Sequence, residues 1–396
     1  MMKKQTKAIH FDYQQRDPYG ALSMPVYNAL AYEFDNADVM ADSFCGRNDL
    51  PDYSRVTNPT VIYFERKVRE LTGARDVIAF NSGMAAICAT LMGIAGAGRR
   101  IVTSTHLFGN TYLLMAKTLG RFGVKTEFVD LLDLEAVERA LEGDDVCCLF
   151  LEIITNPQME VADIPALAAI ARRRGVPVVA DTTMIPFPEF NAGALGVDIE
   201  IVSSTKYISG GGAALGGLVI DYGTVDGFDT LMRRELLLNL GSYMTPQVAY
   251  MMNLGLENLN ARYRLQSANA MAVATRLAAD PRIKVCYPGL PDNPFHAICR
   301  DSFGGSFSAM LTFELPTEEA CYRFINALKM VKRATNLFDN RTLAIHPAST
   351  IFGPLTADER RAMDVSDRLI RLSVGLEDPD DVVADLDQAI TAALAN

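Results

Sequence analysis

Apolar and polar residues alternate in short blocks from about residue 76 to residue 220. Short apolar runs rich in β-branched residues are separated by amphipathic stretches such as residues 134–142 and 162–175. The short runs predict buried strands, and the amphipathic stretches predict helices. This rhythm predicts an α/β fold with a mostly parallel sheet that helices cover on both faces. The predicted strands span residues 76–80, 99–104, 124–130, 147–153, 176–181, 198–204 and 216–221.

The pattern is weaker before this region and changes after it. Residues 1–60 are rich in Asp, Asn, Tyr and Pro and show little periodicity, which is typical of an extended arm. Residues 246–279 carry a helical pattern over their whole length, and Asp280-Pro281 ends it. We therefore predict one long helix between the α/β region and the rest of the chain.

The C-terminal part mixes strands with helices. Strands are predicted in residues 308–315 and 369–377, and helices in residues 318–329 and 381–394. A chain of 396 residues is long enough for one large and one smaller domain. The predicted units are an N-terminal arm over residues 1–60, a large domain over residues 61–250 and an α+β domain over residues 251–396.

Composition limits the choice of partners. The net charge of −11 and a pI near 5.0 argue against a nucleic acid or an anionic membrane as the main partner. No apolar run approaches the roughly 18 residues that a membrane span requires. The first residues, MMKKQTKAIHFDYQQ, have no apolar stretch behind their lysines. We therefore expect a soluble, cytoplasmic protein without a signal peptide.

Cysteines and histidines give no sign of disulfide bonds or of a metal site. The seven cysteines are scattered without a C-x-x-C pair, which favours reduced and mostly buried thiols. The four histidines, at positions 10, 106, 296 and 346, include no pair at helical spacing. We expect no bound zinc or other metal.

Two short segments place polar side chains directly after predicted strands. Residues 79–94, AFNSGMAAICATLMGI, predict a strand, a tight turn and a helix whose unpaired N–H groups point outward at residues 82–84. Such a helix start can hold an anion, although Ser82 could equally be an ordinary N-cap. Residues 178–183, VVADTT, place Asp181 at a strand end, where its burial is costly unless a cation or donor faces it. Taken alone, Asp181 could also cap the segment that follows.

A third segment, SSTKYISGG at residues 203–211, places Lys206 between hydroxyl side chains and glycines after another predicted strand. Because the carboxyl ends of parallel strands meet at one edge of a sheet, Lys206, Asp181 and Ser82 are expected to converge. A lysine that forms a Schiff base with a carbonyl cofactor needs such a rigid, desolvated place. Together the segments predict a site for pyridoxal 5′-phosphate. Lys206 would bond to the cofactor, Asp181 would keep the ring nitrogen protonated, and the phosphate would be held by Ser82, Gly83, Met84, Ser203 and Thr205.

Two other interpretations of these segments fail on missing residues. Ser203 and Lys206 match the S-x-x-K motif of penicillin-binding enzymes, but the chain contains no K-T-G companion. The glycines within residues 210–217 suggest a dinucleotide fingerprint, but position 215 is leucine and the run precedes a strand. Neither interpretation is retained.

The order of these motifs resembles the Cys/Met metabolism family of pyridoxal-phosphate enzymes, which includes cystathionine synthases and lyases, methionine γ-lyases and O-acetylhomoserine sulfhydrylases. The resemblance covers nearly the whole chain, from PDYSRVTNPT and NSGMAA through ITNPQME, ADTT and SSTKYISGG to HPAST and RLSVGLED. The segment TKYISGGGAALGGLVID is most similar to the sulfhydrylases. The resemblance implies a fold-type-I fold like that of aspartate aminotransferase, and a homotetramer built of two dimers.

The resemblance also implies roles for single residues. Tyr53 and Arg55 would bind the cofactor phosphate of a neighbouring subunit, so that the N-terminal arm completes the partner's site. Asn156 would hydrogen-bond the 3-oxygen of the cofactor ring, and Glu152 would support the site from behind. Arg371 would bind the substrate α-carboxylate in a bidentate fork. Without the resemblance, an arginine on an edge strand that faces water is the simpler interpretation.

Several positions depart from the family pattern. Phe108 stands where most relatives have a tyrosine that stacks on the cofactor and helps to move protons, so the stacking surface is kept and the hydroxyl is lost. Asn336 and Phe338 replace a common serine and a common glycine near the substrate carboxylate, and Phe352 and Gly211 replace two common histidines. We therefore expect a family-like cofactor half and an altered substrate half, with Asn336 contacting the substrate.

The predicted activity is γ-replacement, in which O-acetylhomoserine or a similar O-acylhomoserine reacts with a sulfur nucleophile to give homocysteine or methionine. Lys206 would remove the α-proton and move protons between carbons, while Asp181 and Phe108 act on the cofactor ring. Methionine γ-lyase and cystathionine γ-synthase or lyase remain alternatives, as does a binding or regulatory protein that keeps the cofactor without turnover. The sequence leaves open the acyl group and the sulfur donor, which could be sulfide, a thiol or a carrier protein.

Overall fold

The computed structural model describes residues 2–11, 13 and 17–395. These residues form two β-sheets, one of seven strands and one of five. The strands of the large sheet are β1 (Asp76–Phe80), β2 (Arg100–Thr103), β3 (Lys125–Phe128), β4 (Val146–Glu152), β5 (Val178–Asp181), β6 (Ile199–Val202) and β7 (Gly217–Asp221). The strands of the second sheet are β8 (Lys284–Cys286), β9 (Met310–Glu314), β10 (Lys332–Arg333), β11 (Leu343–Ile345) and β12 (Leu369–Ser373).

The helices precede, separate and follow these strands. They are α1 (Lys4–Ile9), α2 (Ala37–Phe44), α3 (Pro59–Thr72), α4 (Gly83–Ile94), α5 (Gly109–Leu113), α6 (Leu134–Ala140), α7 (Ile164–Arg173), α8 (Phe228–Leu231), α9 (Leu238–Leu240), α10 (Pro246–Glu257), α11 (Leu259–Ala278), α12 (His296–Ser302), α13 (Glu318–Ala327), α14 (Ala357–Ala362) and α15 (Pro379–Leu394). Short 3₁₀ or π-helical turns span Leu114–Thr118, Leu119–Phe122, Gly193–Leu195, Met232–Leu237 and Pro347–Ser349.

The large sheet has the strand order β1-β7-β6-β5-β4-β2-β3. Only β7 runs antiparallel to its neighbours β1 and β6, which confirms the predicted α/β fold with a mostly parallel sheet. The sheet is buried on both faces, because Val77 and Ala79 of β1 lie in one hydrophobic core and Ile78 and Phe80 lie in another. The six parallel strands therefore end at one edge of the sheet, and the loops that follow them face the second sheet.

The second sheet is mostly antiparallel, with the order β10-β11-β12-β9-β8. Strand β12, which carries Arg371, lies in the middle of this sheet between β11 and β9. Arg371 is 2% exposed. The interpretation of Arg371 as an edge-strand arginine facing water is therefore wrong, and the side chain points into the protein instead.

The predicted long helix over residues 246–279 is two helices, α10 and α11, which meet at Asn258. The side-chain amide of Asn258 donates to the Leu254 carbonyl at 3.2 Å and so competes with the backbone for that acceptor. The Gly255 carbonyl accepts from Arg262 Nη2 at 2.7 Å. These side chains satisfy the last carbonyls of α10, and the helix can therefore end without a proline or a glycine.

The N-terminal arm is more structured than the sequence pattern predicts, since it contains α1 and α2. Lys4 Nζ lies within 3.3 Å of three backbone carbonyls, those of Phe187, Pro188 and Phe190. These contacts fix α1 against the large domain. Later in the arm, Tyr19 and Leu22 are almost fully exposed, at 96% and 103%. The two boundaries between the three predicted units stay predictions.

No described helix combines the length and the apolar character needed to cross a membrane. All seven cysteines are free thiols, and four of them are buried. Within residues 2–11, 13 and 17–395, no group of three or more His, Cys, Asp or Glu side chains is arranged to hold a metal ion.

Candidate active site

A cavity of about 670 Å³ lies between the strand ends of the large sheet and the second sheet. It brings together most of the side chains that the sequence motifs single out. Those that line it are Ser82, Gly83, Met84, Phe108, Asn156, Asp181, Ser203, Thr205, Lys206, Asn336 and Arg371. Two predicted residues, Tyr53 and Arg55, do not line this cavity. The roles assigned to all of these residues stay predictions, because the geometry alone does not test them.

One end of the cavity is a helix start. Ser82 caps α4 by accepting from Ala85 N at 3.1 Å, and its hydroxyl donates a long hydrogen bond of 3.4 Å to Asn81 Oδ1. A Cβ atom on Gly83 would lie 2.8 Å from Ser203 Cβ, so only glycine lets the segment after β6 approach this helix so closely. The first N–H groups of α4 and the hydroxyl of Ser203 thus border one concave surface, which suits an anion such as a phosphate group.

Thr205, predicted as another phosphate donor, has a partner inside the chain. Its hydroxyl donates to the Gly216 carbonyl at 3.1 Å and accepts from Gly216 N at 2.9 Å. These bonds close the loop between β6 and β7 and hold the segment that carries Lys206. Thr205 therefore has a clear structural function. Its one hydroxyl proton is used in the bond to Gly216, so the predicted donation to the phosphate, which stays a prediction, would have to replace that bond.

Lys206 lies in the loop after β6, across the cavity from Arg371. Burial and the charge of Arg371 lower the pKa of Lys206 to about 8, while Asp181 acts in the opposite direction. A sizeable fraction of the amine is therefore neutral near physiological pH, as a nucleophile or a proton acceptor requires. Lys206 Nζ donates to Asn336 Oδ1 at 3.0 Å.

Two carboxyl groups lie side by side at the ends of β4 and β5: Glu152, which is buried, and Asp181, which is partly exposed to the cavity, are direct neighbours in the register of these strands. Burial raises the pKa of both groups, and the charge of Asp181 adds to the rise for Glu152. Asp181 accepts from Thr183 N at 2.9 Å, which favours its ionised form. The arrangement fits a protonated Glu152 beside an Asp181 carboxylate that can face a positively charged ring nitrogen.

Glu152 also positions Phe108. The backbone N–H of Phe108 donates to Glu152 Oε1 at 2.6 Å, at the start of α5. This bond ties the loop after β2 to the end of β4 and holds the phenylalanine at the cavity wall. Sequence reasoning placed Glu152 behind the site, whereas the structure shows that it lines the cavity and fixes a neighbouring residue.

Arg371 is a buried cation without an acidic partner among the described residues. Its Nη1 donates to Asn156 Oδ1 at 3.2 Å, and its Nη2 donates to the Thr335 carbonyl at 2.9 Å. Burial lowers the pKa of Arg371, which means that the protein disfavours its charge in the absence of a counterion. A carboxylate entering the cavity would restore that balance and could bind both guanidinium nitrogens.

Fewer of the positions that depart from the family pattern border the cavity than the resemblance implies. Phe338 and Phe352 are fully buried and do not line the cavity, and Gly211 does not line it either. Phe338 stacks on Tyr207 with ring centroids 3.8 Å apart, and Phe352 lies in a small hydrophobic cluster. The expectation that these positions alter the substrate pocket directly is therefore wrong, since they change the packing behind it.

Tyr53 and Arg55 lie together outside this cavity. The guanidinium of Arg55 lies 5.6 Å from the centre of the Tyr53 ring, and Tyr53 is 39% exposed. Arg55 also donates to the Leu238 carbonyl. The structure thus presents both side chains at the surface of the arm and not at the site of their own chain.

The cavity fits pyridoxal phosphate by the chemistry of its side chains. It combines a helix start for an anion, an amine for an aldehyde, a carboxylate for a ring nitrogen and an amide for a ring oxygen. Two polar lining residues, Asn110 and Asp339, carry no sequence signal. Glu152 ends an apolar strand as Asp181 does, so the strand pattern also accounts for its place at this edge.

The chain is similar to a known enzyme family and to several known proteins over nearly its whole length. The model of the Cys/Met metabolism PLP-dependent enzymes matches residues 5–391. The L-methionine gamma-lyase of Pseudomonas putida is 36% identical over 390 residues, which are 98% of this chain and 97% of that protein. The O-succinylhomoserine sulfhydrylase of Pseudomonas aeruginosa is 37% identical over 385 residues, which are 96% of this chain and 93% of that protein.

A solved structure from Campylobacter jejuni has a TM-score of 0.94 and 32% identity, with 98% of this chain and 100% of that chain covered. That protein is provisionally assigned as an O-acetylhomoserine (thiol)-lyase, and it carries N′-pyridoxyl-lysine-5′-monophosphate. Together with the family match, this similarity confirms the predicted fold-type-I fold and the predicted cofactor, pyridoxal phosphate.

Proposed function

The chain belongs to the Cys/Met metabolism family of pyridoxal-phosphate-dependent enzymes, and from this premise we propose that it catalyses γ-replacement. In this reaction O-acetylhomoserine, or a similar O-acylhomoserine, exchanges its acyloxy group for a sulfur nucleophile. Its similar relatives include both sulfhydrylases and methionine γ-lyases at nearly equal identity. The choice between replacement and elimination therefore depends on the residues of this site.

The residues of the chain divide the work between binding and proton transfer. Pyridoxal phosphate, when bound, supplies the electron sink that stabilises negative charge on the substrate carbons. Arg371 binds the α-carboxylate of the amino acid, and Asp181 holds a proton at the ring nitrogen. Lys206 removes the α-proton and returns protons to carbon, because its lowered pKa makes both directions accessible near neutral pH.

The observation that carries the proposal is the side chain of residue 108. Phe108 lines the cavity, and no tyrosine does so among the residues that the structure describes. Elimination requires the enzyme to protonate and release the product without help, and a missing phenol costs most in that reaction. In replacement the incoming thiol brings its own proton, and Lys206 can carry the others. A site with phenylalanine here therefore favours replacement.

The direct test is a steady-state assay with and without a sulfur nucleophile. We expect rapid loss of acetate from O-acetylhomoserine when sulfide or methanethiol is supplied. We expect slow release of ammonia from methionine, or from O-acetylhomoserine alone. Rapid release of ammonia from methionine without a thiol would show that the lyase alternative is correct. No turnover in either assay by protein with bound cofactor would favour a binding or regulatory protein.

The variant Phe108→Tyr tests whether the missing phenol at position 108 is what slows elimination. A positioned general acid contributes roughly 10²–10⁴-fold, so a restored phenol should raise elimination by at least about tenfold and replacement by much less. Tyr112→Phe is a matched control, because Tyr112 lies on the adjacent helix and packs against Phe128 outside the cavity. That control should change neither rate. An equal effect of Phe108→Tyr on both reactions would mean that residue 108 is only a stacking surface.

We also propose that the active site is shared between subunits, with Tyr53 and Arg55 binding the cofactor phosphate of a partner. Their position outside the cavity of their own chain supports this assembly. Mixing Arg55→Ala chains with Lys206→Ala chains should restore part of the activity, because one site of each hybrid dimer is intact. Mixing Asp181→Asn with Lys206→Ala should restore none, since both changes lie in the same chain's cavity. No recovery in the first mixture despite subunit exchange would contradict the shared site.

A further inference from the structure

A chain of side-chain contacts connects Lys206 to an acidic residue of the opposite wall. Lys206 Nζ donates to Asn336 Oδ1 at 3.0 Å, and Asn336 Nδ2 lies 3.4 Å from Asp339 Oδ2. All three residues line the cavity. Lys206 follows β6 of the large sheet, whereas Asn336 and Asp339 lie between β10 and β11 of the second sheet. The lysine is therefore held by a group that its own sheet does not supply.

Asp339 is fixed on its other side. Its Oδ1 accepts from Arg341 N at 3.1 Å and from Arg341 Nη1 at 3.1 Å. Its backbone carbonyl accepts from Gln266 Nε2 at 2.7 Å. Only 13% of the Asp339 side chain is exposed. These bonds leave Oδ2 as the oxygen that faces Asn336.

The partners on both sides decide how the Asn336 amide is oriented. An ionised carboxylate can only accept hydrogen bonds, so the NH₂ group of Asn336 must face Asp339. The amide oxygen is then directed to Lys206, where it accepts from the amine. Reversing the amide would place its NH₂ group against Lys206 and its oxygen against a carboxylate oxygen, and both contacts would be unfavourable.

Gly212 makes room for this pair. Its φ angle of +71° lies in the region that glycine adopts freely, and it lines the cavity next to both side chains. A Cβ atom at this place would lie 2.3 Å from Asp339 Oδ2 and 2.8 Å from Asn336 Nδ2. Because Gly212 has no side chain, the backbone of the loop after Lys206 can lie close to Asn336 and Asp339 without separating these two side chains.

We propose that Asp339 is a positioning residue for the reaction: it sets the Asn336 amide so that its oxygen receives the Lys206 amine whenever the lysine is not bonded to the cofactor. The lysine is then returned to one place between steps, from which it can deliver protons. This inference rests on the proposed role of Lys206 but not on the choice of substrate. It differs from the sequence expectation, in which Asn336 contacts the substrate.

The isosteric variant Asp339→Asn makes the proposal testable. The two N–H donors of Arg341 would keep the new amide oxygen on their side, so the new NH₂ group would face Asn336. Two NH₂ groups cannot pair, and Asn336 must turn its oxygen away from Lys206. We expect the neutral form of the lysine to be favoured, with a downward shift of about one pH unit in its titration.

The titration can be read without substrate on the full chain freed of its cofactor. Limiting acetic anhydride labels neutral amines, and mass spectrometry of the Lys206 peptide across a pH series gives the midpoint. With the cofactor restored, kcat should fall about tenfold while KM for the amino acid changes little, because the lysine and not the carboxylate contact is disturbed. Asp280→Asn is the matched control. Asp280 pairs with Arg282 in the same i, i+2 arrangement but does not line the cavity.

A double variant tests the direction of the hydrogen bonds. In Asn336→Asp/Asp339→Asn a carboxylate at position 336 can accept from both Lys206 and the new amide, so the labelling midpoint and kcat should recover toward or beyond the original values. In an Asn336→Ala background, Asp339→Asn should have no further effect, because Asp339 acts through Asn336. The proposal is wrong if Asp339→Asn behaves like Asp280→Asn, or if its loss persists in the double variant. Because the labelling needs no substrate, this outcome is independent of the sulfhydrylase assay.

Discussion

The two walls of the cavity are built in different ways. The wall of the large sheet presents Asp181, which ends β5, and Ser82 and Lys206, which lie in the segments after β1 and β6. The opposite wall presents Arg371 from β12 and Asn336 from the loop between two very short strands. In the first wall, position along the chain determines position in space, because parallel strands end at a common edge. In the second wall, position depends on how the two sheets pack.

The walls also differ in charge. Glu152 is buried and Asp181 is partly exposed to the cavity, and desolvation raises the pKa of both carboxyl groups. Arg371 is a buried cation, and burial lowers its pKa. Lys206 is the cation that acts on Asp181, whereas Arg371 has no acidic partner among the described residues, so the cavity can take up further opposite charge on both walls. A cofactor that can carry a protonated ring nitrogen and a substrate with a carboxylate would supply both.

The largest effect on turnover should come from the wall of the large sheet. Asp181→Asn removes the charge that we propose to hold a proton on the cofactor ring, and turnover should fall by about 10²–10³-fold, as for other lost electrostatic stabilisers. Most of the cofactor should stay bound, which absorbance of the purified protein measures. Glu152→Gln is the matched comparison. Because burial and the charge of Asp181 raise the pKa of Glu152 well above its usual value, its neutral form is favoured, and the loss should be far smaller. Equal losses in both variants would contradict the distinct roles.

An intermediate effect, on substrate binding, is expected from the wall of the second sheet. Arg371→Lys keeps the charge but loses the fork that can bind both carboxylate oxygens. We expect KM for O-acetylhomoserine to rise about 10- to 100-fold, the equivalent of one lost charge-assisted hydrogen bond, with a smaller change in kcat. Arg368→Lys is the control, because Arg368 directly precedes the same strand, is 53% exposed and pairs with Glu314. A fall in kcat without a change in KM would place Arg371 outside carboxylate binding.

The smallest effect is expected on stability, from the contacts of His106 with two acidic residues. His106 precedes Phe108, and its ring nitrogens contact Glu160 at 2.6 Å and Asp364 at 3.0 Å. Burial alone would lower the pKa of His106, but hydrogen bonds to and charges of Glu160 and Asp364 outweigh it and raise the pKa. A raised folded-state pKa means that the stabilisation is fully present below the unfolded value near 6.5 and disappears as pH rises through the folded value.

His106→Gln should therefore lower the free energy of unfolding by about 1 kcal/mol at acidic pH and by less at alkaline pH. Urea unfolding at a series of pH values measures the difference between the variant and the original protein. His10→Gln changes a histidine that is exposed to solvent and should not reproduce the pH dependence. A difference that is constant with pH would show that His106 acts through packing rather than charge.

The contrast between the walls also explains what the sequence could predict. The apolar runs before Asp181 and Lys206 are long enough to be detected as strands, and the parallel topology brings their ends together. The three strands β8, β10 and β11 contain only two or three residues each, which is too short for a periodic pattern. Without them, the central place of β12 and the burial of Arg371 could not be derived.

The contact of Asn336 with Lys206 had no signal in the sequence for a related reason. It joins residues that are 130 positions apart and belong to different sheets. Their approach depends on Gly212 and on the bonds of Asp339 with Arg341, and none of these forms a motif. The break at Asn258 was missed because an asparagine can end a helix through its side chain without either of the usual breakers, proline and glycine.

Phe338 carries a consequence for how such enzymes diverge. The residue has a φ angle of +55°, a conformation that is costly for phenylalanine by about 1–2 kcal/mol and free for glycine. Its ring is nevertheless fully buried and stacked on Tyr207, and burying a phenylalanine side chain gains more than that cost. A replacement of glycine by phenylalanine here can thus be retained by selection for a tighter interior, whichever amino acid the enzyme consumes. A phenylalanine at this position therefore tightens the packing behind Lys206 and does not enter the cavity.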